Sequence, residues 1–77
     1  MAKVVIYSTP TCGFCHMAKD FFKEKNVEYT EYDVAEDQAK AKEMVEKSGQ
    51  MGVPVIFIDE QMFVGFDKPA VEKALGL

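Results

Sequence analysis

The spacing of apolar positions changes along the chain, and each change predicts an element. Lys3-Val4-Val5-Ile6-Tyr7 is a β-branched run without alternation, which predicts a strand covered on both faces. Pro10 and Gly13 bracket the turn that ends it. Beyond them the apolar residues fall at Phe14, Met17, Ala18, Phe21 and Phe22, the i, i+3, i+4, i+7, i+8 stripe of a helix packed on a sheet. Val27 to Val34, after the Lys25-Asn26 break, is rich in Val, Tyr and Thr and predicts a second strand. Asp37 to Lys47 alternates alanines with charges and carries Met44 and Val45, a weakly amphipathic helix closed by Ser48-Gly49.

Val55-Ile56-Phe57-Ile58 and Met62-Phe63-Val64 flank Asp59-Glu60-Gln61 and predict a β-hairpin that Gly65 ends. Asp67 is placed to cap a last helix, with Pro69 in its first turn, Ala70, Val71, Ala74 and Leu75 as its apolar side, and Gly76 as its stop. The order is β-α-β-α-β-β-α. The first strand, helix and second strand make a right-handed parallel crossover, to which the hairpin adds in antiparallel fashion. An α/β fold follows, with a four-stranded mixed sheet flanked by helices. No repeat, linker or low-complexity stretch interrupts it, so residues 1–77 are expected to form a single domain.

Composition narrows the function. With 48% hydrophobic and 12% aromatic residues the chain reads as a packed globule rather than a disordered segment. Its net charge is −4, and the 9 basic residues are all lysines scattered among 13 acids. That pattern excludes a nucleic-acid patch and a basic membrane-surface helix. The opening MAKVVIYS has no apolar core or cleavage site of an export signal, and no apolar run is long enough to span a bilayer. A cytoplasmic location is the expectation, and there a close cysteine pair is catalytic or metal-binding rather than a structural staple.

Both cysteines and the only histidine lie in Cys12-Gly13-Phe14-Cys15-His16. The C-x-x-C-H spacing fits c-type haem attachment, a zinc half-site or a redox pair. Haem needs a second axial ligand, and its attachment normally follows export. Tetrahedral zinc needs four ligands where two cysteines and one histidine supply three at most, and His16 projects about 100° away from Cys15 on a helix. No metal site within one chain is therefore expected, and His16 is expected to be a partly exposed helix residue without catalytic duty. A redox pair fits best, because a strand-to-helix turn sets Cys12 at a helix N-terminus, where free N–H groups and the macrodipole favour a thiolate by about 2 kcal/mol at most. Cys15, one turn deeper on the same face, is placed to attack a mixed disulfide formed at Cys12. A metal or iron–sulfur cluster shared between two chains through the C-x-x-C stays open as the alternative.

Thr11-Cys12-Gly13-Phe14-Cys15 after the first strand, Gly52-Val53-Pro54 before the third and Gly65-Phe66-Asp67 after the fourth carry a resemblance over essentially the whole chain. In these motifs and their order it resembles the glutaredoxin family of the thioredoxin fold, in particular small bacterial or archaeal glutaredoxins and glutaredoxin-like redoxins. The resemblance implies a dithiol–disulfide oxidoreductase with catalytic Cys12 and Cys15. It implies a cis Val53-Pro54 bond facing Cys12, which leaves the Val53 backbone to pair with an extended substrate. Thr11, Phe14, Val53, Pro54, Gly65, Phe66 and Asp67 would form the groove, with Gly65 admitting the tripeptide backbone and Asp67 holding the glutamyl end of glutathione.

No tightly bound cofactor is implied, and glutathione would be a co-substrate. Protein disulfides or glutathione mixed disulfides would be the substrates of a monomer, with electrons from glutathione or thioredoxin reductase. Several groove positions depart from the family pattern. Gly13-Phe14 replaces proline and an aromatic residue between the cysteines, Thr9 and Met51 stand where basic residues are common, Val64 replaces a glycine, and Lys68 replaces an acid. In these positions the chain is similar to redoxins that serve ribonucleotide reductase and draw on thioredoxin reductase.

Overall fold

The computed structural model describes residues 3–77. Its elements are β1 (Val4–Ser8), α1 (Gly13–Glu24), β2 (Thr30–Asp33), α2 (Gln38–Ser48), β3 (Val55–Ile58), β4 (Gln61–Val64) and α3 (Lys68–Leu75), in the expected order. β1 pairs parallel with β2 and antiparallel with β3, and β4 joins β3, so the strand order is β2-β1-β3-β4. A central β1 explains its unbroken apolar run, since both of its faces are covered. On one face Val4, Ile6, Ile56 and Ile58 pack with Ala18, Phe21 and Phe22 of α1 and Val71 of α3. On the other, Tyr7 and Val55 pack with Met44 of α2.

Three expectations are corrected. The face that α1 buries consists of Cys15, Ala18, Phe21 and Phe22, while Phe14 and Met17 are 62% and 54% exposed. Cys15, Ala18 and Phe22 satisfy the same i, i+3, i+7 spacing once cysteine counts as a small apolar residue, and with Phe21 they form the face that is buried. The second strand begins at Thr30 rather than Val27. The apolar character of the preceding residues comes from core packing: the Val27 N–H donates to the Phe22 carbonyl at 2.8 Å, and the Tyr29 ring lies 5.4 Å from that of Phe22. The hairpin turn is Asp59-Glu60 alone, with Asp59 at φ 55°, so Gln61 belongs to β4. Smaller shifts affect β1, which runs from Val4 to Ser8, and α2, where Asp37 is the N-cap and left-handed Gly49 the C-cap.

The two helix layers are held differently. Among the residues of α2 only Met44 is fully buried. A polar clamp supplements it, in which the Tyr7 hydroxyl donates to Glu43 at 3.1 Å while Lys40 and Lys47 flank the same carboxylate at 3.1 and 3.4 Å. Burial, then the Glu43 carboxylate, push the Tyr7 hydroxyl up to about 12, so it stays a proton donor at neutral pH. None of the described helices is long and apolar enough to cross a membrane.

Because one side chain carries the apolar attachment of α2, Met44→Ala is expected to cost about 2–5 kcal/mol. Val45→Ala, at a neighbouring exposed position, should stay within about 0.5 kcal/mol. Urea unfolding followed by circular dichroism compares the two, and equal losses would contradict this account of α2.

Candidate active site

Strand register gathers the site. Tyr32, Tyr7, Val55 and Val64 form one row across all four strands. One residue beyond it, β1 leads through Ser8 toward Cys12, β3 is entered from Pro54, and β4 exits through Gly65. The Gly65 N–H donates to the Pro54 carbonyl at 2.8 Å, extending the β3–β4 ladder by that step. Both α1 and α3 begin at this edge. Three motifs far apart in sequence therefore share one end of the sheet.

Cys12 is the N-cap of α1, in extended conformation (φ −86°, ψ 111°), after a turn in which its N–H donates to the Thr9 carbonyl at 3.2 Å. Its Sγ accepts the Cys15 N–H at 3.1 Å. The first turn of α1 contains no acidic side chain that would neutralise the positive end of the helix. Cys12 is half-buried and Cys15 fully buried, and the two are joined as a disulfide with Cα atoms 5.2 Å apart. The Cys15 N–H is thus aimed at the Cys12 sulfur, while the Cys15 sulfur receives no comparable donor among the described residues.

His16 turns back along the chain. Its Nε2 lies 2.8 Å from the Pro10 carbonyl, which can only accept, so that nitrogen carries the proton.

The remaining expected site residues divide by burial. The Val53-Pro54 bond is cis. Pro54 is buried, Val53 is half-buried, and neither the N–H nor the carbonyl of Val53 has a hydrogen-bond partner among the described residues. Gly65 holds φ 81°, a left-handed conformation that explains glycine there. Phe66 packs on Phe21 with ring centroids 5.7 Å apart, which ties the β4 exit to α1. Asp67 caps α3 by accepting the Ala70 N–H at 3.4 Å. Thr11 and Phe14 are exposed beside the cysteines, and Met51 and Val64 are exposed at the entry to β3 and the end of β4.

Comparison with known proteins agrees with this geometry. The profile of the glutaredoxin family matches residues 4–63. The chain belongs to the glutaredoxin family. It is 43% identical over 72 residues to an uncharacterized glutaredoxin-like 8.6 kDa protein of the rubredoxin operon of Clostridium pasteurianum, covering 94% of this chain and 96% of the relative. It is also 43% identical to Glutaredoxin 3 of Escherichia coli over 67 residues, 87% of this chain and 81% of that one. Among solved structures, a mutant of the thioredoxin-like protein BC3987 superposes with a TM-score of 0.91 at 30% identity, covering 99% of this chain and 97% of that chain. The architecture is the thioredoxin fold, and this glutaredoxin is a thiol–disulfide oxidoreductase with a redox-active cysteine pair.

A polar network beneath the pair escaped the sequence reading. In this glutaredoxin, Ser8 is fully buried and donates to Glu31 Oε2 at 2.8 Å, and Lys19 Nζ binds the same oxygen at 2.7 Å. It joins β1, β2 and α1 just below the cysteine turn. Only the serine at the end of an apolar run hinted at it. Lys19, and after it the Ser8 hydroxyl, hold the Glu31 carboxyl below its usual value of 4.5 against the desolvation of its site.

A lowered folded value means that the Glu31 link stabilises the protein above pH 4.5 and that this contribution is lost as the pH falls through the carboxylate range. Thermal melts of wild type and Glu31→Gln should therefore differ at pH 7 and converge toward pH 3. A gap independent of pH would remove Glu31 ionisation from the stability of this edge.

Proposed function

We propose that this glutaredoxin reduces protein disulfides, and glutathione mixed disulfides less efficiently, through attack by Cys12 and resolution by Cys15. The observation that carries the reading is the asymmetry of the pair: Cys12 is partly accessible and its sulfur accepts a helix N-terminal N–H, whereas Cys15 is enclosed. The Cys12 thiolate attacks one sulfur of the substrate disulfide, forming a mixed disulfide and expelling the other sulfur as a thiolate. Cys15 then loses its proton, attacks Cys12 Sγ and releases the second substrate thiolate. Two electrons have left the dithiol, and the Cys12–Cys15 disulfide awaits glutathione or a thioredoxin reductase. Such a cycle belongs in the reducing cytoplasm.

Binding is assigned to the groove between the Thr11–Phe14 turn, Val53-Pro54 and Gly65-Phe66-Asp67. An extended substrate segment pairs with the unpartnered Val53 backbone in a β-like way. Its rim favours apolar protein segments, because Phe14, Met51 and Val64 are exposed and Thr9 and Met51 offer no cation to the carboxylates of glutathione. Each exposed ion pair contributes about 0.2–1 kcal/mol, so the lack of two weakens glutathione binding without abolishing it.

Cys12→Ser is expected to reduce turnover to the uncatalysed background, and Cys15→Ser to accumulate a covalent mixed disulfide with protein substrates, detected by mass spectrometry. Wild-type rates in Cys12→Ser would overturn the assignment. The double variant Thr9→Lys/Met51→Lys should raise kcat/KM for a glutathione mixed disulfide about tenfold, read as NADPH consumption with glutathione reductase. An unchanged rate would mean that the groove charge does not limit glutathione use.

A further inference from the structure

The segment between α2 and β3 contains a brace that leads from the helix to the proposed substrate-pairing residue. Ser48, the last residue of α2, has its hydroxyl 2.6 Å from the Met44 carbonyl and 3.0 Å from the Gln50 carbonyl, and it accepts the Gln50 N–H at 3.3 Å. Gln50 is thereby fixed to the end of the helix. Its side-chain Nε2 donates to the Gly52 carbonyl at 2.9 Å. A second contact is steric: a Cβ at Gly52 would sit 3.3 Å from Gln50 Oε1, so the side chain lies against the Gly52 backbone and glycine is what lets it approach.

The consequence follows from peptide geometry. Gly52 C=O and Val53 N–H belong to one planar trans unit, in which the two bonds point in opposite directions. Holding the carbonyl in the Gln50 amide therefore turns the Val53 N–H away from the brace, on the side where it has no protein partner. We infer that Gln50 is a positioning residue for substrate recognition, acting through the Gly52–Val53 peptide to present the Val53 N–H to an extended disulfide substrate. The inference rests on the proposed pairing of substrate with the Val53 backbone. It makes recognition depend on a residue that touches neither sulfur.

Gln50→Glu is nearly isosteric and replaces the donor with an oxygen that repels the Gly52 carbonyl, while Gln50→Ala removes the brace without adding charge. Both are assayed on an uncharged peptide mixed disulfide, the same peptide with the peptide bond beside its cysteine replaced by an (E)-alkene, which removes the carbonyl that the Val53 N–H would meet, and a small aromatic disulfide without backbone amides. Expected is a KM for the first peptide raised about tenfold in both variants, the worth of one net hydrogen bond, with its kcat and the small-disulfide rate unchanged. If wild type is sensitive to the alkene replacement but neither variant raises KM, the brace does not orient the peptide and the inference falls while the pairing stands. If wild type is indifferent to the alkene replacement, the pairing itself fails and the inference with it. A rise confined to Gln50→Glu, or loss of the small-disulfide rate as well, would trace the effect to added charge or general disorder and equally overturn it.

Discussion

The register between β1 and β3 is the constraint on which the site depends. Tyr7 opposite Val55 fixes where β1 stops beside the start of β3, and hence where the turn carrying Cys12 stands relative to Val53-Pro54. A slip of one residue in β3 would send Ile56 to the opposite face and bring Val55 onto the α1 side, and the same slip in β1 would exchange Ile6 and Tyr7 in that way. Neither exchange is tolerable, since Ile6 and Ile56 are packed by α1 while the Tyr7 hydroxyl needs Glu43 on α2. The cores on the two faces thus lock the register, and the register sets the cysteine turn beside Val53-Pro54. Stability and site geometry are one problem in this fold.

The two faces solve it by different means. On the α1 and α3 side the contacts are mainly aliphatic and aromatic, with Phe21 bridging Phe22 and Phe66, and the Ser8–Glu31–Lys19 link stands at their margin. On the α2 side a short apolar contact is supplemented by Tyr7, Glu43 and two lysines that also lie over the Tyr32 and Phe57 rings. Hydrogen bonds are directional where apolar contacts are not, so the weakly amphipathic α2 is still set at a defined place. That matters at its C-terminal end, from which the chain turns through Ser48 and Gln50 into β3.

What could be read in the sequence were residues whose identity carries a backbone rule. Pro54 lacks an N–H, Gly65 suits a positive φ, Asp67 suits a cap, and a C-x-x-C at a strand-to-helix turn leaves few chemistries open. Element order was legible for the same reason. The face of α1 was not, because Phe14-Met17-Ala18-Phe21 and Cys15-Ala18-Phe22 are both acceptable stripes and only the sheet decides between them. The partnerships of Ser8, Glu31 and Lys19, and of Gln50 with Gly52, were invisible for a further reason. A polar residue announces a need for a partner but not which one, and these partners come from tertiary closure or from a loop with no periodicity.

The three helix N-termini compare the cysteine with an ordinary residue in the same position. Asp37 caps α2 by accepting the Lys40 N–H, Asp67 caps α3 by accepting the Ala70 N–H, and Cys12 caps α1 by accepting the Cys15 N–H, each three residues on. None of the three helices has an acidic residue in its first turn. Sulfur therefore occupies the place that a carboxylate oxygen fills elsewhere in the molecule. A carboxylate meets the demand of an N-terminus for negative charge permanently, whereas a cysteine meets it fully only as thiolate. The capping requirement of α1 and the nucleophilicity of Cys12 are then the same free energy seen from two sides: whatever the helix gains from an anion at its cap is what favours ionisation of the thiol. The cost falls on the thiol state, in which the cap of α1 is the weaker one.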